Sequence, residues 1–108
     1  MQLMCTTLKK QQWTTTSAKL PTPRAGNSII VIKNEVFVIA GESAKQRKAH
    51  NEVEVYNVKT NSFRTLAPLV EGRHAGGAVL YKGKIYTVAG VGNAGGAPLL
   101  KSIEVFSE

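Results

Sequence analysis

The stretch YKGKIYTVAG, residues 81–90, leads from a lysine-flanked glycine turn into an apolar run that closes on Ala89 and Gly90. Residues 32–41 read IKNEVFVIAG, with lysine, turn residue, apolar run and small pair in the same places. The match extends outward. Arg24 recurs as Arg73, the apolar run 29–32 as 78–81, and VEVY at 53–56 as IEVF at 103–106. Trp13 recurs as Phe63, each standing ten or eleven residues ahead of its arginine. A unit of about 50 residues written twice marks a repeat architecture, and the period governs how every local segment is read.

Each unit reads as four short strands. Strand A covers 27–32 and 76–81, and strand B covers 36–40 and 85–89. The two residues between them, Lys33-Asn34 and Lys82-Gly83, make a hairpin connection in which Asn or Gly is the cheap occupant of a left-handed position. Strand C, at 52–56 and 102–106, alternates apolar with polar. Strand D begins near Phe63 and has its counterpart after Trp13, ending in KLPTP. No helical period occurs. Strands A and B are apolar at nearly every position, which implies cover on both faces. Radial repetition of four-stranded sheets, the β-propeller, meets that demand; a solenoid of stacked sheets is the alternative.

A chain of 108 residues is at most one domain, and its 43% hydrophobic content is ordinary for a globular fold. The apolar runs are too short to cross a bilayer, and MQLMCTTLKK lacks the basic start and apolar stretch of a secretory signal. The single cysteine, Cys5, has no internal disulfide partner and reads as a buried small hydrophobe. Fourteen Lys and Arg against seven Glu give a net charge of +7. The charges are spread over turns, with Lys45, Arg47 and Lys48 the one cluster. They read as a solvated surface, and no nucleic-acid partner is expected.

The residues resemble the kelch repeat. The resemblance is carried by the apolar strand ending in a small pair and by VEVYNVKTNSF at 53–63, where Tyr56 stands seven residues before the aromatic Phe63. Two departures are plain: Ala-Gly stands at 40–41 and 89–90 where kelch repeats usually carry Gly-Gly, and Phe63 stands where tryptophan is usual. The resemblance implies an all-β, kelch-type propeller segment of two four-stranded antiparallel blades in an incomplete ring. Residues 3–13 align with 53–63, with Thr6 at the tyrosine position. The expected division is thus the end of a preceding blade at 1–22, a full repeat at 23–71, and a repeat lacking its last strand at 72–108. A ring needs at least four blades, so a longer chain, or an oligomer, is expected to supply the rest.

Alternating strand direction puts the B–C and D–A connections on one face and the tight A–B and C–D turns on the other. The first face carries ESAKQRKAHN at 42–51, VGNAGGAPLLK at 91–101 and the arginine turns, and long loops on a rigid scaffold are where recognition residues sit. The binding-face candidates are Arg24, Glu42, Lys45, Arg47, Lys48, His50, Arg73, His74 and Asn93. Arg24 and Arg73 each open a strand A, where a guanidinium bonds neighbouring carbonyls or carboxylates. Glu42, His50 and His74 are a metal-type donor set without a compact ligand motif, so no metal, cofactor or catalytic residue is assigned. Glycines 92, 95 and 96 lack the strand-to-helix context of a phosphate loop. Kelch propellers mostly recognise proteins, so the resemblance implies a protein-binding module. The alternative is a carbohydrate-binding or carbohydrate-active propeller, similar to mutarotases or galactose oxidase. A copper-radical site would need a cysteine on the loop face, and Cys5 reads as lying in a strand C.

Overall fold

The structure, a computed structural model, describes residues 11–108. It is all-β among those residues: β1 (Ser28–Ile32), β2 (Glu35–Gly41), β3 (His50–Asn57), β4 (Ser62–Leu66), β5 (Gly77–Tyr81), β6 (Lys84–Val91) and β7 (Leu99–Phe106). They form two antiparallel meanders, β1-β2-β3-β4 and β5-β6-β7. Strands A, B and C of both units and strand D of the first thus form where the repeat predicts them. The expected strand C at 3–13, with Cys5 and Thr6, falls largely outside the described residues. The strand D expected after Trp13 does not form. A strand requires a ladder partner, and no strand among the described residues pairs with that segment, where Trp13 is exposed.

Both A–B hairpins close through two residues, with Ile32 opposite Glu35 and Tyr81 opposite Lys84. The left-handed backbone falls on Lys33 (φ 55°), not on Asn34, and on both Lys82 (φ 48°) and Gly83 (φ 79°). The right-handed twist of the flanking strands demands positive φ at the first central position whatever residue stands there. In the C–D turn Asn57 Oδ1 accepts from the N–H of Lys59 and Thr60. This bonding satisfies the backbone of a six-residue reversal.

Side chains alternate across each strand, and one face of each sheet meets the other. Phe37, Ile39, Val53 and Val55 from the first sheet pack with Ile85 from the second, flanked by Ala78 and Phe106. Each such burial is worth about 1.5–3 kcal/mol, so this seam is the main adhesive between the sheets. β1 and β5 are neighbours across it. An apolar cavity of about 220 Å³ persists in the seam between Phe37, Leu69, Ile85 and Phe106.

Cover on both faces is met only in part among the described residues. Ile29 and Val31 on the first sheet, and Val79, Tyr81, Ile103 and Val105 on the second, are more than half exposed. Two sheets offer each other one face apiece; among the described residues the outer face of the first is partly covered by residues 16–20, where Val38 is buried, and that of the second carries no strand. The rings of Tyr56 and Phe63 meet at 5.1 Å, tilted by 46°, and line a groove with Thr16, Ala18 and Leu20, on the side away from the second sheet.

Candidate functional site

The small pair at the end of each strand B sets the geometry of the long-loop end. Ala40 (φ 61°) and Gly41 (φ 123°) turn left-handed, as do Ala89 and Gly90, and a bulge interrupts the ladder there in both sheets. A Cβ on Gly41 would stand 2.7 Å from the Ala25 carbonyl oxygen, and one on Gly90 2.6 Å from that of His74. The second residue must therefore lack a side chain, whereas alanine fits the first. Beyond the bulge the strand resumes pairing with the lead-in to its own strand A, Glu42 with Ala25 and Val91 with His74.

Arg24 and Arg73 fill the space that the bulge opens. Arg24 donates to the carbonyls of Thr22, Val38, Ala40 and Glu52, and its Nη1 lies 2.7 Å from Glu54 Oε1. Arg73 donates to the carbonyls of Glu71, Ala89 and Ser102 and to the Ser102 hydroxyl, and its Nη2 lies 2.9 Å from Glu104 Oε2. Both guanidiniums are buried. Each carboxylate also accepts from the chain ahead of its arginine: Glu54 from the N–H and hydroxyl of Thr22, Glu104 from the N–H of Val70 and Glu71. The Arg–Glu pair therefore ties the incoming linker to strands B and C. The glutamates recur in VEVY and IEVF, a signal that sequence reading passed over as ordinary polar alternation.

The two B–C loops are joined by main-chain bonds. Ala49 N–H donates to Gly92 O at 2.9 Å, Ala94 N–H donates to Arg47 O at 2.6 Å, and Lys48 bridges Asn93. Gly41 N–H reaches Arg73 O and Ala75 N–H reaches Gly26 O, so the lead-ins are stitched as well. His74 is buried, with Nε2 2.8 Å from Asn93 O and 3.4 Å from Glu42 Oε1, while Glu42 also accepts from Gly95 N–H. His50 is buried and turns elsewhere, toward Ser43 and Glu52. The structure thus gathers Glu42, His74 and Asn93, leaves His50 apart, and encloses Arg24 and Arg73. No group of three metal-type donors is assembled among the described residues.

Lys45, Arg47 and Lys48 are exposed and make no ion pair among the described residues. Beside them a groove of about 800 Å³ runs between Lys48, Asn51, Glu71, Gly92 and Pro98. No helix among the described residues is long and apolar enough to cross a membrane.

A family model described as the Kelch motif matches residues 23–70. Kelch-like protein 41b of Danio rerio is 36% identical over 93 residues, covering 86% of this chain and 15% of that protein. Kelch-like protein 40 of Xenopus laevis is 36% identical over 90 residues, covering 83% of this chain and 14% of its own length. The chain therefore spans only a small part of the curated relatives it matches. The solved structure of YjhT aligns with a TM-score of 0.65 and 27% identity, over 76% of this chain and 25% of that one. Two like sheets packed face to face, a shared Ala-Gly bulge and these matches agree: the chain belongs to the kelch-repeat family, and its sheets are neighbouring blades of a propeller-type fold.

Proposed function

We propose that the chain is a kelch-repeat module that binds a protein partner through its long-loop face, with residues 23–71 as one repeat and 72–108 as a second that lacks its last strand. The observation that carries the reading is the backbone ladder between the two B–C loops. Loops locked to each other lose little entropy on docking, and this pair presents Lys48 on a groove shared by both blades, with exposed Lys45 and Arg47 in the same loop. The opposite face has two-residue hairpins and scattered lysines, which give a partner little area to bury. Kelch-like proteins generally bind other proteins, which suits the same reading.

A photocrosslinking residue placed at Lys48, and in a control at Lys59 on the short-turn face, tests it in the intact protein. Polypeptide adducts from position 48 and none from position 59 support the proposal. Adducts confined to position 59 overturn it. Saccharide binding without any protein adduct would favour the carbohydrate alternative.

A further inference from the structure

The loop after β2 and the start of β3 together hold a trio of side chains that the fold does not require. Ser43 Oγ lies 2.7 Å from His50 Nε2, and His50 Nδ1 lies 2.9 Å from Glu52 Oε1. Burial works against the Glu52 charge, yet the hydrogen bond from His50, with its own backbone N–H and nearby positive charge, brings the carboxyl below its ordinary value. An ionised carboxylate only accepts, so Nδ1 carries a ring hydrogen, and in the neutral ring Nε2 presents its lone pair to the Ser43 hydroxyl. Nucleophile, base and orienting acid stand in the sequence of contacts that serine hydrolysis uses.

The second blade supplies the comparison. His50 pairs with Gly41 as Leu100 pairs with Gly90, so the places of Ser43, His50 and Glu52 are taken there by Gly92, Leu100 and Ser102. The same bulge and the same strands form without the trio. His50 is buried and held at both ring nitrogens, whereas Ser43 is half-buried and followed by exposed Ala44 and Lys45. The N–H groups of Ser43 and Ala44 meet no acceptor among the described residues.

We propose that Ser43 is a nucleophile, deprotonated by His50 and kept in register by Glu52, that accepts the acyl group of an ester. Ser43 Oγ bonds to the carbonyl carbon as its proton passes to Nε2. Collapse of the adduct breaks the bond to the leaving alcohol, which takes that proton. Water, giving a proton to the same Nε2, then bonds to the acyl carbon; the acyl–Oγ bond breaks, and the proton returns to Ser43. Glu52 touches no reacting atom and is a positioning residue.

The test uses an alkyl fluorophosphonate on the full protein: Ser43 Oγ bonds to phosphorus, fluoride leaves, and the adduct is located by peptide mapping. The expected result is labelling of Ser43 with exposed Ser62 unlabelled, loss of the label in Ser43→Ala, and a rate about a hundredfold lower in Glu52→Gln. Glu52→Asp should recover much of that rate, and melting temperatures should match the parent in all three variants. A burst of nitrophenolate from p-nitrophenyl acetate should accompany the label. Absence of the Ser43 adduct, labelling no faster than at Ser62, or an unchanged rate in Glu52→Gln would each overturn the assignment.

Discussion

Replacing Glu54 with Gln should destabilise the chain more than the same change at Glu104, although the two glutamates hold equivalent places. Arg24 is fully enclosed, and its partner Glu54 is only 4% exposed, so the change leaves a buried cation without a carboxylate in direct contact. Breaking one side of a buried pair costs about 3–5 kcal/mol, and Gln retains an acceptor oxygen, which argues for the lower end, about 3 kcal/mol. Glu104 is 18% exposed, and Arg73 keeps Glu71 at 3.9 Å as a second carboxylate. Water and that neighbour hold the loss to about 1–2 kcal/mol. With a urea slope of about 2 kcal/mol per molar, the midpoint should fall by about 1.5 M for Glu54→Gln and about 0.7 M for Glu104→Gln. Circular dichroism during urea unfolding at low protein concentration reads both. Equal losses, or a larger one at Glu104, would refute burial as the deciding variable.

Three further outcomes follow from the same geometry. Gly41→Ala and Gly90→Ala should each cost about 2 kcal/mol or more in thermal unfolding, since a Cβ at either meets a carbonyl oxygen and the backbone is left-handed, whereas Gly77→Ala, with open space around it, should stay within about 0.5 kcal/mol. The hydrogen bond from Arg64 holds the Glu35 carboxyl below its ordinary value of 4.5. Stability from that pair is therefore complete above this value and lost as the pH falls through the lower folded one, so Arg64→Ala should flatten the acid limb of a stability–pH curve and leave its neutral-to-basic side sloped as before. Finally, the bare face holding Ile103 and Val105 beside the open edge of β7 should make the chain self-associate at high concentration; sedimentation velocity should show this, and Ile103→Lys should suppress it.

The repeat made the strands legible because period-2 burial and hairpin turns write themselves into adjacent residues. It located β1, β2 and β3 and their counterparts to within a few residues, and it separated long loops from tight turns. What it missed depends on residues far apart in the chain. Glu54 and Arg24 meet only once a bulge has opened a hole for the guanidinium, and nothing local to VEVY announces a counter-ion. The Ser43–His50–Glu52 contacts depend on the path of a loop whose composition, ESAKQRKAHN, has no period. The exposed residues of the outer faces arose differently. Apolar residues on both sides of strands A and B express a demand for cover, but pattern alone does not say which part of the fold meets it. The spacing of Tyr56 and Phe63 likewise does not say toward which side their rings pack.

Charge reversal on the two faces tests the central claim most directly. In the intact protein, Lys45→Glu, Arg47→Glu and Lys48→Glu combined should weaken binding of the crosslinked partner at least tenfold, about 1.4 kcal/mol, without changing the melting temperature. Lys33→Glu, Lys59→Glu and Lys82→Glu combined change the net charge by the same amount on the opposite face and should leave affinity within about twofold. Equal weakening by both sets would reduce the effect to overall charge, and selective weakening by the second would place the binding surface on the short-turn face, contradicting the account.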